Sequence, residues 1–449
     1  MREAEFIARY AALVEEGRIR ELREQLSPLH PADIAEIIEE LTPEQGAMLF
    51  RMLPKDEAAE VMSALDPPQQ QQLVEVFADK ELVDLIANMF VDDAVDLVEE
   101  LPSNAVRRIL QLSSPEKRAT LNRFMQYPEH SAGSIMTEEF IRLREFTLVG
   151  QAIAAIRADR RRRVSLHTAY ITTADNRLTG VVSISELLVS PDDVAVGTLG
   201  LKDVISVTTD TDQEEVVAMI RHYGFLAMPV VDSDGRLVGV VTVDDALYIA
   251  EEEATEDFEL MAATTPAEDT YLNTSVLSHA KNRLPWLLIL MISGLLNGLI
   301  LGSFEHAFIA VPLLVTFIPM LTDTGGNTGS QSSTLVIRGL ALGEIQIADA
   351  LRVLRKELGI ALLVGSVLGL VGFGRVMLFG DGDVNIALTV GLALIAVVML
   401  AKLIGGLLPI VARRIGLDPA LMAAPMITTI VDAIGLVIFF SLAKLLLPI

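Results

Sequence analysis

No cysteine occurs among the 449 residues, which excludes disulfides and thiolate metal sites. The six histidines are scattered, without the spacing of metal ligands. No Lys-Ser or Lys-Thr follows the glycine-rich segment near residue 325, so a phosphate-cradling loop is missing. No nucleophile stands with a matching base. Together these absences argue against an enzyme. A cleavable leader is not expected either: MREAEFIARYAALVEEGRIRELREQL is charged and amphipathic, without an apolar stretch.

What is present divides in two. The formal charge is −25, yet residues 1–272 hold 51 of the 60 acids and 24 of the 35 bases, which leaves the remainder nearly neutral. Such an acidic half repels nucleic acid and attracts cations. The remainder carries apolar stretches at about 284–304, 308–335 (interrupted), 358–379, 386–410 and 425–447. Crossing a bilayer takes about 20 mainly apolar residues, so five spans are predicted. Five spans put Arg338, Arg352, Arg355 and Lys356 on the same side as Arg413 and Arg414. The positive-inside rule then predicts a multi-pass protein with its N-terminus cytoplasmic and its C-terminus outside. The DGDVN turn at 381–385 falls outside.

The chain reads as four parts. Residues 1–128 are short helices stopped by proline, with one pattern repeated in HPADIAEIIEELTPEQ, LPKDEAAEVMSALDPPQQ and FVDDAVDLVEELPSNA. Stacking of such units predicts a small all-α superhelix. Residues 129–249 hold two copies of strand, turn, strand and helix, HTAYITTADNRLTGVVSISELL and AMPVVDSDGRLVGVVTVDDAL, an α/β tandem pair. Residues 250–280 form a connecting helix and linker whose acids are either a solvated face or placed to transmit a signal. Residues 281–449 form the transmembrane part. The basic run at 160–163 reads either as a contact for phosphates or, more readily, as a solvated face pairing with the acidic domain.

Polar residues inside the spans carry the functional argument. Asp432 lies mid-way along PMITTIVDAIGLVIFFSLAKLLL. An acid at that depth costs at least ~2.5 kcal/mol and faces either a partner or a watery path. Pro425, Thr428, Asp432 and Gly435 share one helical stripe, which favours the path. The segment PMLTDTGGNTGSQSST, 319–334, is expected to be irregular backbone lining a cavity. Close helix packing accounts for its glycines but not for Asn327 together with Asp323. Asp323 and Lys402 are opposite charges within spans, and are expected to form a buried ion pair beside the path.

Taken together, the acidic helical domain, the tandem pair, the connecting helix, five spans, GGNTGSQ and PMITTIVDAIG resemble the MgtE-type magnesium channels along the whole chain. The tandem pair itself resembles CBS domains. The resemblance implies a homodimer in the inner membrane of a bacterium, importing Mg2+. It implies that Asp432 of both subunits flanks one pore, with Asn327 and Thr428 beside it. Magnesium keeps several waters, so a wide polar path with two carboxylates suits the hydrated ion. The resemblance further implies regulatory Mg2+ at Glu60, Asp92 and Asp96, at Asp212, Glu214 and Asp245, and at Glu253, Glu256 and Asp257. Bridging of these acids by Mg2+ would close the pore. Gly224 and Tyr248 stand where relatives can have an acid. The nucleotide-contacting positions around His167, Thr168, Ser185 and Glu186 match poorly, which argues against ATP. A cation-coupled secondary transporter of Mg2+, Co2+ or Mn2+ suits an intramembrane acid equally well. A non-transporting CBS membrane sensor would not need so many polar residues within its spans.

Overall fold

The computed structural model describes residues 10, 12–14, 16–158, 167–267, 271–272, 274–379 and 382–448. The basic run at 160–163 and Asp381 lie outside the described residues. Two compact units are present, Met1–Glu251 and Glu252–Ile449.

The first unit opens with α1 (Ile19–Leu26), α2 (Pro31–Glu39), α3 (Pro43–Phe50), α4 (Lys55–Ser63), α5 (Pro67–Val76), α6 (Asp79–Asn88), α7 (Val91–Glu100), α8 (Ser103–Leu112) and α9 (Pro115–Phe124). Proline occupies the first turn of α2, α3, α5 and α9, where its missing N–H has no intrahelical partner to lose. Thr42 and Gln45 close a reciprocal capping box on α3. From α2 to α9 each helix packs against the next but one. The shared core between them includes Leu22, Ile34, Leu49, Met62, Leu73 and Leu82, all fully buried.

The duplicated part follows, as β1 (Ile141–Arg144), α10 (Val149–Ala158), β2 (Thr168–Thr172), β3 (Leu178–Ser183) and α11 (Ile184–Val189), then β4 (Val207–Thr208), α12 (Gln213–Tyr223), β5 (Ala227–Val231), β6 (Leu237–Thr242) and α13 (Val243–Met261). Both sheets pair their first two strands parallel and the last two antiparallel, with a bulge at the same place in each copy. The β2–β3 turn needs a left-handed residue and uses Asn176 (φ 68°), while the β5–β6 turn uses Gly235 (φ 76°). These two turns bond each other, Leu178 N–H to Gly235 O at 3.1 Å and Leu237 N–H to Asn176 O at 2.9 Å. The duplication in sequence thereby becomes a pseudo-symmetric pair. The connecting helix, expected from residue 250, is the C-terminal continuation of α13.

The second unit contains α14 (Val276–Ser303), α15 (Glu305–Ala310), α16 (Ile318–Ala341), α17 (Ala350–Phe379), α18 (Val384–Arg414) and α19 (Ala424–Leu446). Among the described residues, α14, α17, α18 and α19 are long and apolar enough to cross a membrane. Helix α16 is more polar, but its 24 residues extend about 36 Å and it packs against both α18 and α19.

One expectation is overturned here. The segment PMLTDTGGNTGSQSST is not irregular backbone: it lies wholly within the regular helix α16, and the break occurs earlier, at 304–317. The reason is packing. A Cβ on Gly325 would come within 2.7 Å of Val431, and one on Gly329 within 2.6 Å of Ile427. The hydroxyls of Thr322 and Ser330 donate back to Ile318 O (3.0 Å) and Gly326 O (2.8 Å), so the helix satisfies its own polar groups. Among the described glycines of the second unit the closest approach to backbone is at Gly405, where a Cβ would overlap the Gly329 carbonyl oxygen. Gly405→Ala should therefore lose about 1–3 kcal/mol of stability and lower the thermal midpoint in detergent. Gly359→Ala is the matched control, since nothing lies within 4 Å of its Cβ position. An equal midpoint for the two variants would refute the close approach of α16 and α18.

Candidate functional site

Helices α16 and α19 meet at Gly326, whose open side accommodates the Thr428 methyl. Around this crossing the polar side chains gather. Asp323 and Asn327 lie one turn apart on the exposed edge of α16, and Thr428 and Asp432 lie one turn apart on α19, both half-buried. Asn327 Nδ2 donates to Asp323 Oδ1 at 3.1 Å, and Thr428 Oγ1 donates to Pro425 O at 2.9 Å. Asp323 is the charged neighbour whose field reaches Asp432. Among the described residues the Asp432 carboxylate has neither a hydrogen bond nor an ion pair. Gly435 turns inward against Val397, so the last member of the predicted stripe serves packing instead. What remains is an oxygen-rich face of two carboxylates, an amide and a hydroxyl.

The expected Asp323–Lys402 pair does not form. Lys402 Nζ faces Glu357 Oε2 of α17 at 4.0 Å, and the two residues are 6% and 8% exposed. The same Glu357 oxygen accepts the Ser332 hydroxyl at 2.6 Å, which ties α16, α17 and α18 together. Glu357 sits in RVLRKELG, at the charged entry of an apolar stretch, and sequence reasoning did not single it out. Packing of α17 on α18 draws it inward, with Gly406 leaving room for its side chain.

A second cluster lies in the first unit. Asp92 and Asp93 occupy the first turn of α7, and Asp245 the first turn of α13, where helix N-termini favour anions. Asp92 is only 7% exposed and its Oδ1 has no hydrogen-bond partner. Burial first, then Asp93, Asp245, Glu139 and Asp96, hold its carboxyl well above the usual range. Burial also pushes Asp245 up to about 6, although the Thr242 hydroxyl donates to it. The fold thus assembles Asp92, Asp96 and Asp245, and adds Asp93 and Glu139, which sequence reasoning missed. Glu60 is half-buried on α4. Asp212 caps α12 by accepting the Glu214 N–H at 2.9 Å, leaving the Glu214 side chain exposed. In the second unit, Asp257 is pushed up to about 6 by burial and by Asp418, Glu253 and Glu256, against the pull of Arg338. Asp418 was likewise not legible beforehand.

The donor set is all oxygen, with one buried and unpartnered carboxylate, and that chemistry fits Mg2+. Among the described residues no three acids or histidines converge as a ready-made cage. An ion that keeps most of its water does not need one. The raised value of Asp245 has a signed consequence. A carboxyl shifted from 3.8 to about 6 destabilises the fold when ionised, and the penalty vanishes as pH falls through that window. In a Mg2+-free buffer Asp245→Asn should be more stable than the parent at pH 7.5, by on the order of 2–3 kcal/mol, with the difference shrinking below pH 6 and gone near about pH 3, below the unfolded-state value. A thermal-unfolding difference independent of pH would contradict this.

Known proteins resemble this chain along its length. A family model described as a divalent cation transporter matches residues 318–442, and one described as the MgtE intracellular N domain matches 29–130. CBS-domain models match 132–191 and 196–252. The chain is 36% identical over 437 residues to the magnesium transporter MgtE of Thermus thermophilus, covering 97% of each chain. It is 30% identical to the magnesium transporter MgtE of Bacillus subtilis, over 98% of this chain and 97% of that one. The crystal structure of the soluble part of a magnesium transporter superposes with a TM-score of 0.53 at 28% identity, covering 56% of this chain and 99% of that one. The cytosolic domain of the Mg2+ channel MgtE in complex with ATP superposes with a TM-score of 0.51 at 33% identity, covering 53% and 97%. The full-length relatives are transporters and not enzymes, and they match both halves of the chain, so the chain belongs to the MgtE family of magnesium transporters.

Proposed function

We propose that the chain is a magnesium-selective channel that admits Mg2+ across the bacterial inner membrane and is shut from the cytosol by the same ion. The observation that carries this reading is Asp432, a carboxylate without a partner, beside Asp323, Asn327 and Thr428 on an open face of one chain. Magnesium dehydrates reluctantly, so the oxygens of this face accept hydrogen bonds from the ion's own waters. A second copy of the chain supplies the facing Asp432 and makes the open face one wall of a pore. In this reading α16 joins the four apolar helices as the fifth span, with the N-terminus inside and the C-terminus outside.

Gating follows from the cost of crowding acids. Ionised Asp92, Asp96 and Asp245 repel one another in a buried setting, and Glu253, Glu256 and Asp257 do so around Asp257. Divalent ions bound within each of these clusters, with Glu60, Asp212 and Glu214 as further ligands in the first unit, offset the repulsion and favour the closed form. High cytosolic Mg2+ then stops its own entry. ATP has no part in this proposal. In the first CBS copy Ser185 bonds Ser183, and Glu186 accepts the Gly200 N–H at 3.2 Å, so both are already engaged.

In liposomes, Asp432→Asn should reduce Mg2+ flux at least about tenfold, with an unchanged thermal midpoint. Parent flux should be independent of proton and sodium gradients; dependence on either would favour coupled transport. Unchanged flux in the variant would remove Asp432 from the path. Deletion of residues 1–128 should leave a conducting protein poorly inhibited by internal Mg2+, and full inhibition would argue against the gating scheme.

A further inference from the structure

Among the described residues a lysine stands beside the acids around Asp92. Lys117, in the first turn of α9, is half-buried, and its Nζ donates to the Met89 carbonyl at 2.9 Å. Met89 closes α6, and the next residue, Phe90, is the N-cap of α7. The ammonium therefore sits where the chain turns into the helix that carries Asp92, Asp93 and Asp96. Burial pushes it below the usual lysine range, while Glu139, Asp92, Asp93 and Glu138 pull it back. Lysine is seldom buried without a reason, and two reasons are available here. One is local: a positive group on the carbonyl that ends α6 is a helix C-cap. The other is electrostatic, because the same group stands within the field of the buried Asp92 carboxylate, whose Oδ1 is unpartnered.

We infer that Lys117 is a tethered counter-ion of this cluster, which neutralises part of its charge and so raises the Mg2+ concentration needed to occupy it. The inference rests on the proposed regulatory reading of Asp92, Asp96 and Asp245. A divalent ion entering the cluster meets a positive charge that the fold already holds there, and the two repel. In the absence of Mg2+ the lysine keeps the crowded acids from driving the fold apart. When Mg2+ binds, the lysine makes that binding weaker than the carboxylates alone would give. One residue thus sets the threshold of the feedback without being a ligand.

The test is thermal unfolding of the full-length protein in detergent, followed as MgCl2 is titrated from EDTA. Lys117→Met removes the charge and the cap, and Lys117→Gln removes the charge but keeps an N–H donor. Both should reach half-maximal stabilisation at a Mg2+ concentration about 5-fold or more below the parent, and Lys117→Arg should stay near it. In liposomes the internal Mg2+ that half-inhibits flux should shift the same way. If Lys117→Met only lowers the EDTA midpoint and leaves the Mg2+ dependence unchanged, Lys117 is a cap alone and the inference is wrong. A higher Mg2+ requirement in both uncharged variants would overturn it equally. Asp92→Asn separates the two levels. Should it weaken Mg2+ stabilisation while Lys117→Met and Lys117→Gln fail to strengthen it, only the role of Lys117 falls. Should Asp92→Asn change nothing, the cluster is not a Mg2+ site and both readings fall.

Discussion

The contact of α16 with α18 and α19 through backbone that has no side chain is the constraint on which the membrane unit depends. Gly405 on α18 lies against the Gly329 carbonyl, and Gly325, Gly326 and Gly329 admit Val431, Thr428 and Ile427 of α19. In lipid no hydrophobic gain drives helices together, so such close packing must do it. The approach brings two polar edges side by side. Asp323 and Asn327 come from one helix, and Thr428 and Asp432 from the other. A helix as polar as α16 packs here because its hydroxyls bond its own carbonyls and its small face is covered.

Charge is distributed in the two units by opposite rules. In the membrane unit the buried opposite charges, Glu357 and Lys402, are paired with each other and with Ser332, which leaves the acids of the polar face without a basic partner. Breaking such a buried pair from one side is costly, so it acts as a fixed anchor between three helices. In the first unit acids are crowded at two helix N-termini, with Lys117 among them. An anchor needs neutrality, whereas crowded acids hold negative charge that a bound cation relieves.

Much of this was legible in the sequence because local signals were strong. Proline at first turns marked the short helices, and the two copies of strand, turn, strand and helix announced the tandem CBS fold. Asp432 was conspicuous as an isolated acid in an apolar run. Other features were misread for identifiable reasons. The glycines of GGNTGSQ looked like broken helix because their space is filled by α18 and α19, which a linear pattern does not show. Lys402 was matched to Asp323 because the burial of Glu357 depends on how α17 packs on α18, which the linear pattern does not show. Glu139 and Lys117 stand far in sequence from Asp245, and no periodicity links them to it.

The sequence by itself determined the division into an acidic half and an apolar half, the CBS duplication, the family, and Asp432 as an acid at a costly position. Those properties depend on composition, periodicity and short motifs, each carried by residues near one another along the chain. Tertiary structure alone decided the partners: Lys402 with Glu357, Asn327 with Asp323, and Lys117 among the acids around Asp92. Electrostatic energy depends on distance through space and on burial, and both are set by helix packing that no single segment encodes.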